Sequence, residues 1–273
     1  ELLIYSFNIV YCNPKYQNRV IYNMMALDKN SMYPAQMLHE YMPHGFPMWY
    51  SGKYDDKYSG KYPIYIQHIK VSFELKPNAV PTIARRNGFL SSDNLYLNSS
   101  NGLMFDLWLA NPDLELLYMC YDIIEIEYIE GYMFKAVKGI EITPNEAKNM
   151  DKFEIIDEDG KGSLFYDYIH KWRLGKETHT GAARSYDKRM QNALYGTFGT
   201  NPKRDSKEPY LENGVLRFSL IDGEYSKTKS YIPIAVFVTA WARYNLIKYI
   251  LKNIDKFVYC DTDSLYVLDD INL

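Results

Sequence analysis

The chain has 273 residues, 47% hydrophobic and 24% charged, and its 31 lysines and arginines against 34 acids leave a net charge of −3. That apolar content excludes a disordered chain and is enough for a sizeable core without staples. Its three cysteines lie far apart with no C-x-x-C pair, which excludes a disulfide scaffold or a cysteine zinc site and suits a reducing cytoplasm.

No apolar run approaches the ~18 residues a membrane helix needs, so no span is expected. The chain opens Glu1-Leu2-Leu3, without Met, and reads as an excerpt or a processed piece. In chain order, apolar runs and alternation predict strands at Val20–Leu27, Tyr62–Leu75, Ile123–Ile129, Ile232–Val238, Phe257–Tyr259 and Leu265–Leu268. Helical spacing predicts helices at Gly162–Leu174, Gly181–Phe198 and Thr239–Lys252, with a weaker one at Asp113–Tyr121. Strands and helices are interspersed without a βαβ beat, which makes the fold class α+β. Ser51-Gly52-Lys53-Tyr54 recurs as Ser59-Gly60-Lys61-Tyr62 and reads as a hairpin-like loop and its return. Neither copy is a phosphate loop, because Tyr follows where Ser or Thr would hold magnesium.

Charge is uneven. Glu141–Asp159 holds seven acids against two lysines and reads as a solvated loop, whereas His170–Arg189 holds six Lys/Arg against two acids. Within the basic segment Arg184, Lys188 and Asn192 fall four apart and Tyr195 three further on, so one helix face presents two cations, an amide and a phenol. Such a stripe suits a polyphosphate with its sugar and base.

Acids are placed to complement it. Phe257 to Val267 reads as strand, tight turn, strand, with Asp261-Thr262-Asp263 at the tip. Two carboxylates held close repel unless a cation lies between them, and few hard oxygen ligands suit magnesium. A third acid, Asp28, ends a strand before a turn at Asn30-Ser31, where free amides could meet an anion, and Tyr33-Pro34 starts a short helix. Each piece alone also reads as an ordinary turn or cap. Together, acids at strand ends and a basic helix are the parts of phosphoryl transfer.

Asp28-Lys29-Asn30-Ser31-Met32-Tyr33-Pro34 resembles the D-x-x-S-L-Y-P motif of family B DNA polymerases, Lys188 to Gly196 resembles their K-x-x-x-N-S-x-Y-G, and Tyr259 to Ser264 matches Y-x-D-T-D-S. Ile66-Gln67-His68-Ile69, Phe73-Glu74-Leu75-Lys76, Asn201-Pro202 and Thr239-Ala240-Trp241-Ala242-Arg243-Tyr244 look like the protein-primed branch found in bacteriophages, so the resemblance covers nearly the whole chain. It implies a polymerase palm, an antiparallel sheet with packed helices, in residues 1–76 and 231–273, with helical fingers at 162–198. It further implies a terminal-protein-contacting insertion at 77–161 and a β-hairpin insertion at 199–230.

The same resemblance implies the site. Asp28, Asp261 and Asp263 would be catalytic and would bind two magnesium ions, with manganese able to substitute, and the Lys29 carbonyl would be a backbone ligand. Lys176, Arg184 and Lys188 would contact the incoming deoxynucleoside triphosphate, with Ser31 and Met32 beside it, and Tyr33 would exclude a 2′-hydroxyl. Asn192 and Tyr195 would line the nascent base pair, and Gly196, Arg243 and Ser264 would touch DNA. Partners would be template-primer DNA and a terminal protein, with the protein monomeric in the cytoplasm of a bacterial host.

Departures from the family pattern are Tyr5-Ser6-Phe7-Asn8 in place of Tyr-x-Gly-Gly, Ala193 for the usual Ser, Lys29 beside the acids, and a long acidic excursion at Gly139–Gly162. With no exonuclease before Glu1 and no thumb after Leu273, the piece is expected not to proofread. Two other readings stand beside the polymerase. One is a non-catalytic fragment that docks terminal protein or DNA. The other is a glycosyltransferase using Asp261-Thr262-Asp263 for its metal.

Overall fold

The computed structural model describes residues 10–29, 31–86, 94–137, 164–200, 206–221 and 230–268. The Tyr5–Asn8 motif, Asn30, the whole of the acidic excursion and Asn201-Pro202 lie outside the described residues.

The architecture is α+β. Four strands drawn from the two ends of the chain form one antiparallel sheet in the order β1-β11-β12-β2: β1 (Val10–Cys12), β2 (Met24–Asp28), β11 (Phe257–Asp261) and β12 (Ser264–Leu268). A second antiparallel sheet has the order β3-β8-β4-β7, from β3 (Met42–Ser51), β4 (Ile64–Leu75), β7 (Phe105–Ala110) and β8 (Tyr121–Val137). Because β3 and β4 pair with β7 and β8, the expected division at residue 76 falls within one sheet. The predicted hairpin around Ser51 and Ser59 is not formed: β8 lies between β3 and β4, and their connection crosses over it. Among the described residues two further antiparallel pairs are formed, β5 (Ala84–Arg86) with β6 (Asn94–Tyr96), and the hairpin of β9 (Ser206–Glu212) with β10 (Val215–Ile221). In the latter Asn213 and Gly214 turn at φ of 53° and 76°, the left-handed pair that Asn-Gly favours in a two-residue hairpin loop.

The described helices are α1 (Met32–His39), α2 (Asn111–Cys120), α3 (Tyr166–Thr178), α4 (Gly181–Phe198) and α5 (Ile232–Lys252). The bounds of α4 are those its spacing predicts. The strand expected at Val20–Leu27 begins only at Met24, since Val20 and Tyr22 are 79% and 81% exposed and Asn23 turns at φ 60°.

The larger correction concerns Ile232–Val238, expected as a strand. It is the first half of α5, a continuous helix of 21 residues with Pro233 in its first turn. A helix buried on all sides is apolar all round, and a short stretch of it cannot be told from a core strand by periodicity. By length and composition α5 is also long and apolar enough to cross a membrane, a run that the split reading hid. In the structure 61% of that window is buried inside the protein. Ile247 and Ile250 share one core cluster with Phe73, Leu117 and Phe257, Phe237 lies in another with Ile64 and Phe134, and Val238 in a third with Met37 and Ile169. At about 1.5–3 kcal/mol for each large side chain taken from water, these contacts tie both sheets and α3 to one helix.

Candidate active site

Asp28 closes β2 and faces Ser264 across the ladder, and Ser264 also pairs with Asp261. Thr262 and Asp263 alone join β11 to β12, and Thr262 turns at φ 56°. A β-branched residue there is strained, and such strain persists where the surroundings over-determine it. The surroundings are visible. The Thr262 hydroxyl donates to Asp261 Oδ1 at 2.9 Å, Tyr259 OH to Asp261 Oδ2 at 3.4 Å, and the Ser264 hydroxyl to the Asp261 carbonyl at 3.0 Å. The Lys29 N–H donates to the Asp263 carbonyl at 2.9 Å, which fastens the strand end bearing Asp28 to the tip bearing Asp263.

Burial raises the Asp263 carboxyl above the ordinary range; the charges of Asp28 and Asp261 add to this, and Lys188 opposes it. Three acids and one cation of α4 therefore share one electrostatic neighbourhood. Among the described residues no group of three His, Cys, Asp or Glu side chains could by itself hold a metal ion. The Asp28–Asp263 repulsion nonetheless fits a hard divalent cation of the magnesium type, which binds through one or two carboxylates plus substrate phosphates.

The cationic wall comes from α3 and α4. Arg184, Lys188 and Asn192 are exposed along one face of α4, while Tyr195 is half-buried. Lys176, on α3, has its pKa lowered, first by burial and then by Lys188 and Arg184. Its ammonium donates to Ser31 Oγ at 3.2 Å, and the Ser31 hydroxyl donates to Gln191 Oε1 at 3.1 Å. Ser31 itself stands at φ 53° ahead of α1 and makes no side-chain cap to that helix, which leaves its hydroxyl for these two contacts. Tyr33 stacks on Tyr195 with centroids 4.1 Å apart. Burial first, and then Tyr195, hold the Tyr33 phenol well above its usual range.

Two of the expected site side chains are enclosed in the protein. Met32 is 3% exposed, and its side chain packs in the core. Arg243 is 6% exposed and holds Asp113 of α2 through Nε at 2.9 Å and Nη2 at 2.7 Å. That fork braces α2 against α5 and does not offer an open contact to a template strand. Gly196 is exposed, with open space where a Cβ would stand. Residues to which the sequence reading gave no role are Gln191, the partner of Ser31, and Tyr259 and Thr262, motif positions that prove to be the partners of Asp261. Gln191 falls three after Lys188 and seven after Arg184, a spacing that would have drawn it toward the same side of the helix.

A family model described as DNA polymerase type B, organellar and viral, matches residues 10–141 and 159–267. The DNA polymerase of Bacillus phage phi29 is 40% identical over 264 residues, covering 96% of this chain and 41% of that protein. The DNA polymerase of Streptococcus phage Cp-1 is 35% identical over 269 residues, covering 95% and 42%. A solved structure of phi29 DNA polymerase complexed with primer-template DNA and incoming nucleotide substrates superposes with a TM-score of 0.80 at 38% identity, covering 97% of this chain and 42% of that one. The chain thus spans less than half the length of these relatives.

Proposed function

The chain belongs to the organellar and viral type B DNA polymerases, and from that premise we propose that it carries the nucleotidyl-transfer centre of a DNA-directed DNA polymerase. The observation that carries the reading is the convergence of the end of β2, the β11–β12 tip and the helices α3 and α4, where three acids and the cations act on one another. Acids Asp28 and Asp263 lie on one wall, with Lys188 close enough to act on Asp263, and Lys176 is anchored at Ser31 on the other. A triphosphate entering between them meets cations, and a cation entering meets carboxylates.

Asp28 and Asp263 would hold magnesium, with Asp261 beside them and the Lys29 carbonyl as a further oxygen. When bound, that metal supplies charge neutralisation at the attacking oxygen and at the phosphates. The acceptor oxygen forms its bond to the α-phosphorus as the bond to the bridging oxygen of pyrophosphate breaks in line. Lys188, Lys176 and Arg184 orient the triphosphate and neutralise the departing pyrophosphate. Tyr33, held by Tyr195, forms the floor under the sugar; Asn192 and Tyr195 face the nascent base pair, and Gly196 and Ser264 lie toward the DNA. The acceptor is a DNA 3′-hydroxyl or a side-chain hydroxyl of a terminal protein, which residues 77–161 would contact, while the β9–β10 hairpin would help enclose DNA. The protein would work as a monomer in the cytoplasm of a bacterial host.

The test is template direction. Each deoxynucleoside triphosphate is offered singly to a template-primer bearing each template base in turn. Addition of the complementary nucleotide alone supports the reading, and addition without regard to template overturns it.

A further inference from the structure

The fingers carry a buried acid that the cationic stripe does not need. Asp187 precedes Lys188 on α4, yet it is 4% exposed and points away from the stripe, into the seam with α3. There its Oδ2 accepts from Nδ1 of His179 at 2.7 Å, which assigns that ring nitrogen its proton. His179 caps α3, its N–H donating to the Gly175 carbonyl at 2.8 Å. Gly175 is the one residue type the seam admits: a Cβ there would stand 2.7 Å from Asp187 Cγ and Oδ2 and 2.8 Å from Oδ1. A buried carboxylate is costly unless it is hydrogen-bonded, so acid, imidazole and glycine form one fitted unit.

That unit sits between the two lysines. Gly175 is followed by Lys176 and Asp187 by Lys188, so the contact of Asp187 with Gly175 fixes the separation of the two backbones from which those ammonium groups extend. We propose that Asp187 is a positioning residue for nucleotide binding, which, bonded to His179 and seated on Gly175, holds α3 and α4 at the spacing that lets Lys176 and Lys188 converge on one triphosphate. This rests on the nucleotide site proposed above. Asp187 does not touch the nucleotide; it acts through the lysines. Loss of its hydrogen bond therefore weakens ground-state binding and leaves the acids at Asp28 and Asp263 in place.

The experiment measures the dissociation constant of 2-aminopurine deoxyriboside triphosphate, by its fluorescence, together with thermal unfolding of each variant. Asp187→Ala is expected to weaken binding about tenfold, and His179→Ala, whose ring is 54% exposed, about threefold. Asp187→Asn keeps an acceptor of the same size for the His179 N–H and is expected to stay within about twofold of the parent. Should Asp187→Ala not fold, His179→Ala carries the test. Folded Asp187→Ala or His179→Ala that binds as the parent does, while Lys188→Ala loses binding, overturns the positioning role and leaves the site. Asp187→Asn as weak as Asp187→Ala also overturns it. Unchanged binding in Lys188→Ala overturns the nucleotide site, and the inference with it.

Discussion

Tyr33 and Tyr195 stack with ring centroids 4.1 Å apart and 30° between their planes, so the helix behind the first acid and the helix of the cationic stripe meet ring on ring. The contact is rigid as well as apolar, since Tyr33 belongs to α1, fixed by the buried Met37 and Leu38, and Tyr195 packs on that same cluster. In the proposed nucleotide site this stacked pair is the flat wall against which the sugar ring would sit.

Replacing Tyr33 by Val removes that wall. Discrimination against ribonucleoside triphosphates is expected to fall by about tenfold or more, since a pocket that excludes one small group commands about 1–3 kcal/mol. Incorporation of each sugar type, compared as kcat/KM, checks it, and undiminished rejection of ribonucleotides refutes the role.

Lys188 acts on Asp263 from α4 and is exposed on the surface of that helix. Lys188→Ala is expected to raise the KM for nucleotide by about tenfold, the size of one charge-assisted hydrogen bond. Steady-state incorporation kinetics check this, and an unchanged KM removes Lys188 from the triphosphate site.

How much of this was legible in advance depended on what surrounds each segment. The stripe of α4 could be read because its face is open to solvent, so spacing and polarity coincide. The first half of α5 could not, because Phe237, Val238 and Ala240 are all fully buried and no polar face marks the period. The order of β3, β8 and β4 is likewise absent from any local pattern, as it is set by which strand fills the place between. At the site, the motifs located Asp28, Lys188 and Asp263 but not the direction of each side chain. Met32 turned into the core, and Arg243 was claimed by Asp113, a residue 130 positions away in sequence.

Gly131 lies in β8 where the Tyr50 ring crosses it, and a Cβ there would run into the Tyr50 hydroxyl and the Ile66 carbonyl. Gly131→Ala is expected to cost about 1–3 kcal/mol, the range for overpacking a filled interior. Urea unfolding measures it, and a loss below about 0.5 kcal/mol, the size of an ordinary surface change, contradicts the packing described.

Alkaline pH probes the buried phenols and thiols. Burial, before any neighbouring charge, pushes Tyr65 and Tyr121 up to about 12, Cys120 to about 11 and Cys260 to about 12. These groups ionise at lower pH in the unfolded chain, near 10 for tyrosine and 9 for cysteine. Between those values and the folded ones the unfolded chain binds fewer protons, so stability falls as pH rises. The contribution is complete below about pH 9, the ordinary thiol value, and drains away toward pH 12. Thermal melts at increasing pH should show the decline beginning above that point, and a midpoint flat to pH 11 contradicts it.

The central claim is that the acids of the β11–β12 tip and β2 form a metal-dependent transfer centre. Extension of a labelled primer on its template, at low salt with magnesium present or chelated, tests it most directly when the chain is compared with Asp263→Ala. The expected result is extension that requires the metal and vanishes in the variant, with the variant folded and, because carboxylate repulsion is relieved, no less stable than the parent. Extension that survives in Asp263→Ala, or no extension by the parent chain at any magnesium concentration, contradicts it.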